Sequence, residues 1–118
     1  MRLNKITQTA VTALEDIKAH DIKVLDVRKL TSFYDFVIVA SADSTRQTKA
    51  LAHHVRDRMK EAGANIIGIE GEETGEWVLV DCGDIVVHVM QPAVRSYYNL
   101  EELWTARPSR RAKAATAA

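Results

Sequence analysis

The chain has 118 residues, of which 47% are hydrophobic and 27% charged, a composition that indicates one globular domain and excludes a largely disordered protein. Its single cysteine excludes an intrachain disulfide, its start lacks the apolar stretch of a signal peptide, and no run of about eighteen apolar residues is present to cross a membrane. Residues 1–106 hold 12 basic and 16 acidic residues, a net charge of −4, which favours a basic protein over DNA as partner. We therefore expect a cytoplasmic protein.

The first third of the chain predicts one helix and two strands. Apolar residues recur at steps of three and four over residues 3–17, which indicates an amphipathic helix ending near Ala19. The segment 22–27 is short and rich in β-branched residues, as is typical of a partly exposed strand. The continuously apolar run 36–40 predicts a strand that is covered on both faces and central in its sheet.

A long second helix is marked at both ends. Ser44 and Gln47 have the spacing of a capping box, in which a hydroxyl and an amide satisfy free backbone donors at the start of a helix. Gly63 stands where a left-handed residue ends a helix. The buried stripe between these ends is predicted to consist of Leu51, Val55, Met59 and Ala62.

The second half of the chain predicts three strands and one more helix. Residues 66–69 form a short apolar run that indicates the third strand. Two further runs, 77–80 and 85–90, are separated by a turn and should pair as an antiparallel hairpin. Pro92 suits the first turn of a last helix through Tyr97, because its missing N–H would have no helical partner there.

The order of these elements predicts the fold class. Helix, strand, strand, helix, three strands and helix indicate a single α/β domain, a mixed β-sheet flanked by helices, at residues 1–106. Residues 107–118 form a basic tail without bulky apolar side chains, and we predict that this tail is disordered.

The polar residues match no catalytic or metal-binding motif. The densest acidic group has no EF-hand spacing, so a solvated loop or a surface facing a basic protein is favoured over a metal site. A lone histidine in an apolar strand, His88, is favoured as a hydrogen-bonded core or interface residue, and Cys82 as a structural residue. Phosphate-binding glycine motifs are absent from the sequence. We therefore predict no catalytic residues, no metal and no cofactor. The acidic group consists of Glu70, Glu72, Glu73, Glu76, Asp81 and Asp84.

Aromatic residues near the hairpin and the last helix indicate a binding surface. Trp77 opens the hairpin, Asp81 closes its first strand, and residues 95–101 follow its second strand directly. We therefore expect these residues to adjoin one end of the sheet, although a simple core role remains an alternative for any one aromatic. Aromatic anchors within a charged rim are typical of protein interfaces. The predicted partner-binding residues are Trp77, Asp81, Arg95, Tyr98 and Glu101.

Several segments of the sequence resemble the RsfS/Iojap family of ribosomal silencing factors. In the front half these segments are residues 25–27, 34–41 and 44–47. The back half is more specific, since its segments follow the order and spacing of the family signature. Those segments are Gly71–Glu72 and residues 77–90 and 95–104. The resemblance covers about residues 3–104, and the basic tail is not part of the family pattern.

The resemblance implies a fold related to the nucleotidyltransferase core, without its activity, and a silencing of ribosomes when nutrients are scarce. Members of the family bind the large ribosomal subunit through ribosomal protein L fourteen, on the face that otherwise contacts the small subunit. The implied mechanism is therefore a steric block of subunit joining, which represses translation.

Two other functions and one assembly state remain as alternatives. A nucleotidyltransferase-like enzyme is disfavoured because the sequence has no Asp-x-Asp or Asp-x-Glu pair to hold magnesium from one strand. An rRNA-binding module is disfavoured because residues 1–106 are net acidic. Homodimerisation through an exposed sheet edge stays open.

Overall fold

A computed structural model describes residues 4–105, except for the side chains of Trp104 and Thr105. The predicted tail, 107–118, lies outside the described residues. The helices and strands are, in chain order, α1 (Lys5–Asp16), β1 (His20–Asp26), β2 (Phe36–Ser41), α2 (Thr45–Glu61), β3 (Gly68–Glu70), β4 (Trp77–Asp81), β5 (Ile85–Met90), α3 (Pro92–Tyr98) and α4 (Leu100–Thr105). Within this described range, no helix is both long and apolar enough to span a bilayer.

The five strands form one mixed sheet in the order β1-β2-β5-β4-β3. Strands β2 and β5 are parallel, and the other neighbours are antiparallel. The predicted hairpin of β4 and β5 is confirmed, with Trp77 opposite Met90 and Asp81 opposite Val86. All six residues of β2 are buried, as its apolar run predicts, but β5 rather than β2 is the middle strand.

Helices cover both faces of the sheet and divide the core in two. Helices α1 and α2 pack on one face, where Leu14, Leu51 and Met59 are fully buried. Residues Val94 and Leu100 of the α3–α4 segment pack on the opposite face. Because side chains alternate along a strand, Val78 and Val80 of β4 enter the larger core, while residues 77, 79 and 81 face the α3–α4 side.

Of the two hydrogen bonds of the predicted capping box at the start of α2, the hydroxyl contact is found and the amide contact is replaced by another. The Ser44 hydroxyl accepts a hydrogen bond from the Gln47 backbone N–H, at 3.0 Å. The Gln47 side-chain oxygen, however, accepts from the backbone N–H of Asp43 rather than of Ser44, at 2.8 Å. The Gln47 amide then donates to the backbone oxygen of Ile17, at 3.1 Å. Gln47 therefore joins the start of α2 to the end of α1.

Two element boundaries differ from the prediction, and one helix was not predicted. Helix α1 ends at Asp16 rather than near Ala19, because Lys18 adopts a left-handed conformation with φ of 61°. Strand β3 is shifted from residues 66–69, since Gly68 pairs with Asp81, the last residue of β4. The last predicted helix, through Tyr97, is confirmed as α3. Asn99, left-handed with φ of 47°, then turns the chain into α4, a helix that was not predicted.

Candidate functional site

An aromatic cluster lies at the end of the sheet where β4 begins and β5 ends, and its members are Trp77, His88, Tyr97 and Tyr98. The ring of Trp77 lies 4.8 Å from that of Tyr98 and 5.8 Å from that of His88, between centroids. Tyr97 meets Tyr98 edge-on, with centroids 5.0 Å apart. Tyr97 is 82% exposed and Tyr98 54%, whereas Trp77 and His88 are partly buried. The cluster thus has a half-buried base and an exposed rim.

The base of the aromatic cluster is held by a side-chain hydrogen bond. The indole N–H of Trp77 donates to Nδ1 of His88, at 2.9 Å. Nδ1 accepts only when the imidazole is neutral and carries its proton on Nε2. Burial lowers the pKa of His88 to about 4, so that the ring is neutral at neutral pH. At neutral pH the imidazole is therefore in the charge state that can accept this bond.

The loop before β4 positions Trp77 through two glycines. Gly71 has φ of 89°, and a Cβ added there would lie 2.0 Å from the backbone oxygen of Trp77. Gly75 has φ of 72° and is buried. Its carbonyl accepts from the hydroxyl of Thr48 and, at 3.4 Å, from the side-chain amide of Gln91. The loop is thereby tied to α2 and to the end of β5, directly before the tryptophan.

The corner between α3 and α4, which directly follows Tyr98, is held by a buried arginine. Arg95 is 9% exposed. Its Nη1 donates to Ser41 Oγ on β2 at 2.7 Å, and its Nε donates to Glu101 Oε1 on α4 at 2.7 Å. The guanidinium thus connects two helices and a strand around the left-handed Asn99. Arg95 therefore ties the corner beyond Tyr98 to the sheet from within the fold.

The structure brings together four of the five predicted site residues. Trp77 and Tyr98 are in contact, and Arg95 and Glu101 form the adjoining ion pair. The expectation that Asp81 adjoins the same end is wrong, because Trp77 and Asp81 are the two ends of β4, which separates them by about 13 Å. Asp81 instead accepts a hydrogen bond from the Gly83 N–H within the turn, at 3.0 Å. Its role in binding stays a prediction.

Sequence reasoning missed the contribution of two residues to this site. His88 was assigned a general core or interface role, and nothing in its strand pattern indicates that its partner is an indole. Tyr97 is more exposed than Tyr98, but sequence alone does not decide which of two adjacent helical tyrosines faces solvent. The signal that was available is the crowding of aromatic residues around the end of the hairpin.

Cys82 and His53, two further groups with possible reactivity, lie outside the aromatic cluster. Cys82 is buried, and burial together with the nearby Asp81 carboxylate raises the pKa of its thiol to about 11, so that it stays protonated. His53 on α2 pairs with Glu72 of the loop between β3 and β4. In the part of the chain that the structure describes, no group of three His, Cys, Asp or Glu side chains is arranged to hold a metal ion.

Comparison with known proteins identifies the family. The family model described as ribosomal silencing factor during starvation matches residues 1–118. The chain belongs to this family. A ribosomal silencing factor RsfS of Chromobacterium violaceum is 59% identical over 104 residues, which cover 88% of this chain and 85% of the relative. A mouse protein named mitochondrial assembly of ribosomal large subunit protein 1 is 34% identical over 100 residues, which cover 82% of this chain and 44% of the mouse protein.

Solved structures of the family share the fold. An X-ray structure of a protein from Chromobacterium violaceum is 57% identical to this chain, with a TM-score of 0.85 and coverage of 92% of both chains. The resemblance to the RsfS/Iojap family and the single α/β domain with a mixed sheet are both confirmed. The family is one of regulators of the ribosome rather than of enzymes.

Proposed function

We propose that this protein is a cytoplasmic regulator that binds the large ribosomal subunit through ribosomal protein L fourteen and sterically blocks association with the small subunit. It would thereby repress translation when nutrients are limiting, without catalysing a reaction. The observation that carries the proposal is the aromatic cluster, in which Tyr97 and Tyr98 are exposed beside a fixed Trp77. Exposed aromatics on a rigid support are typical anchors of protein interfaces.

The charge around the aromatic cluster supports a basic partner. Residues 1–106 have a net charge of −4. The exposed Glu76 directly precedes Trp77, and Glu102 lies in the first turn of α4, shortly after Tyr98 in the chain. Acidic groups around aromatic anchors attract a basic protein surface and orient it during approach. The name of the mouse relative, which refers to the ribosomal large subunit, agrees with the proposed partner.

Sedimentation with separated ribosomal subunits tests the proposal. The protein should sediment with the large subunit and not with the small one. When it is mixed with dissociated subunits before magnesium is restored, the two subunits should remain separate on a gradient. Normal formation of whole ribosomes at saturating protein would refute the proposed function.

A pair of exposed-aromatic variants tests the proposed surface. Tyr98→Ala removes a 54% exposed ring of the aromatic cluster and should weaken binding by about 2 kcal/mol, roughly 30-fold. Phe33→Ala is the matched control, since Phe33 is 78% exposed but precedes β2, whose start lies beside the start of β5 at the opposite end of the sheet. A folded Tyr98→Ala protein with wild-type affinity would remove the aromatic cluster from the interface.

The same binding assay separates a protein contact from an rRNA contact. Binding led by RNA phosphates should weaken steeply with added salt, because each neutralised phosphate releases counterions. Binding led by aromatic contact with a protein should weaken less. A steep salt dependence that persists in Tyr98→Ala would favour the rRNA-binding alternative.

A further inference from the structure

We propose that His88 is a positioning residue of the partner-binding surface, which orients the Trp77 indole under Tyr98 without itself needing to touch the partner. This inference rests on the proposed function only for its effect on binding. The orientation of Trp77 is a property of the free protein. It is supported by the cross-strand geometry, the hydrogen bond and the surroundings of the imidazole.

Cross-strand geometry brings the two side chains together. Trp77 pairs with Met90 and Leu79 pairs with His88, so Trp77 is the diagonal neighbour of His88 on the same face of the antiparallel hairpin. Diagonal neighbours are about 7–8 Å apart, which only long or aromatic side chains bridge. The indole N–H and Nδ1 meet at 2.9 Å. The register of the hairpin therefore determines this contact.

The hydrogen bond selects one orientation of the indole. A tryptophan offers a single donor and no acceptor, so only a group with a lone pair can hold its N–H. His88 supplies that lone pair at Nδ1. Tyr98 packs on the tryptophan held in this way, with ring centroids 4.8 Å apart. Loss of the acceptor would free the indole to rotate and would remove the fixed support of the exposed ring.

The surroundings of His88 keep its imidazole neutral. Its direct cross-strand partners are the aliphatic Val39 and Leu79. The next residues of this row are Lys23 on β1 and Glu70 on β3, each two strands away, or about 10 Å, and opposite in charge. Burial therefore dominates, and it lowers the pKa of His88 to about 4. Titratable groups from the other elements on this side of the sheet include Tyr34 before β2, Asp21 on β1 and Asp81 on β4. Arg95 and Tyr98 on α3 and Glu101 on α4 lie on the same side.

Two substitutions separate positioning from simple packing. His88→Asn places a carbonyl oxygen near the position of Nδ1 and does not titrate, whereas His88→Leu fills a similar volume without an acceptor. His54→Asn is the matched control, since His54 lies on α2 and pairs with Asp16 of α1 on the opposite face of the sheet. Thermal melting first establishes that each variant is folded.

The first readout is the indole N–H signal of Trp77 in proton–nitrogen correlation spectra of the free protein. A Trp77→Phe spectrum distinguishes this signal from that of Trp104. The signal should keep its shift and its protection from solvent exchange in His88→Asn and His54→Asn, and lose both in His88→Leu. It should also change as the pH falls towards 4 in the wild type but not in His88→Asn. This pH comparison decides the question even if His88→Leu fails to fold. An unchanged signal in folded His88→Leu, or a wild-type signal insensitive to pH, would overturn the proposal.

The second readout is binding to the large subunit at neutral pH. His88→Asn should bind within about twofold of the wild type, and His88→Leu roughly tenfold more weakly, the loss expected for one hydrogen bond. A released indole with unchanged affinity would show that His88 does not position the binding surface. If the wild type itself does not bind, the proposed function fails separately, since the spectra of the free protein still decide whether His88 orients Trp77.

Discussion

Replacing Arg95 by methionine tests whether this residue supports the binding surface from inside the fold. The substitution keeps most of the aliphatic volume and removes the guanidinium. Arg95 is 9% exposed and donates to Ser41 Oγ and Glu101 Oε1, both at 2.7 Å. Without it, Ser41, itself 2% exposed, loses a donor and Glu101 loses its cation. We therefore expect the α3–α4 corner to loosen.

The size of the effect follows from the burial of the two acceptors. A hydrogen bond to a buried hydroxyl contributes about 1 kcal/mol, and one to a charged group about 1.5–3 kcal/mol. The Glu101 side chain is 29% exposed, so water replaces part of what it loses and the lower end applies. The free energy of unfolding should fall by about 2–3 kcal/mol. For a domain of this size the melting temperature should fall by roughly 10 °C.

The assay is thermal melting of Arg95→Met, Glu101→Gln and the double variant. Because the two side chains are in direct contact, the double variant should be more stable than the sum of the single losses predicts, by about 1 kcal/mol. Arg28→Met is the matched control. Its ion pair with Asp26 is exposed, and its removal should leave the melting temperature nearly unchanged.

Normal melting combined with lost binding would refute this reasoning. If Arg95→Met melts with the wild type but no longer binds the large subunit, Arg95 contacts the partner directly and is not an internal support. If the Arg95→Met protein has a lowered melting temperature and binds weakly, binding should be restored at a low temperature at which the variant is folded.

Three further perturbations test the loop, the histidine and the tail. In denaturant unfolding, Gly71→Ala should lower the free energy of unfolding by more than about 2 kcal/mol, because the added Cβ meets the Trp77 oxygen. Gly63→Ala is the control and should lower it by only about 1 kcal/mol, since Gly63 has φ of 96° but open space around it. Burial lowers the pKa of His88 from 6.5 to about 4, so the unfolded chain binds the extra proton between these values. The free energy of unfolding should therefore fall by roughly 3 kcal/mol at most as the pH drops from 6.5 to 4. A His88→Asn protein whose free energy of unfolding falls as steeply as that of the wild type would contradict this. Deleting residues 107–118 should leave the melting temperature nearly unchanged, since they lack apolar anchors, and a large decrease would show that they pack on the domain.

Local patterns in the sequence determined the elements of this protein. The buried run of β2, the hairpin of β4 and β5, and both ends of α2 were predictable, because hydrophobic period, turn residues and helix caps act between residues close in the chain. The same patterns located Trp77 and Tyr98 as aromatics beside one end of the hairpin. They also indicated an α/β domain, since the order of the elements permits few arrangements.

Tertiary structure decided how these elements meet. Ser41 and Arg95 are 54 positions apart, and only the docking of α3 on the sheet turns the arginine inward, where the sequence had suggested a surface contact. The hairpin register, rather than the composition of β5, made His88 the acceptor for Trp77, and the length of β4 carried Asp81 to the opposite end. Periodicity specifies which face of an element is apolar, but which element lies on that face depends on packing between distant segments.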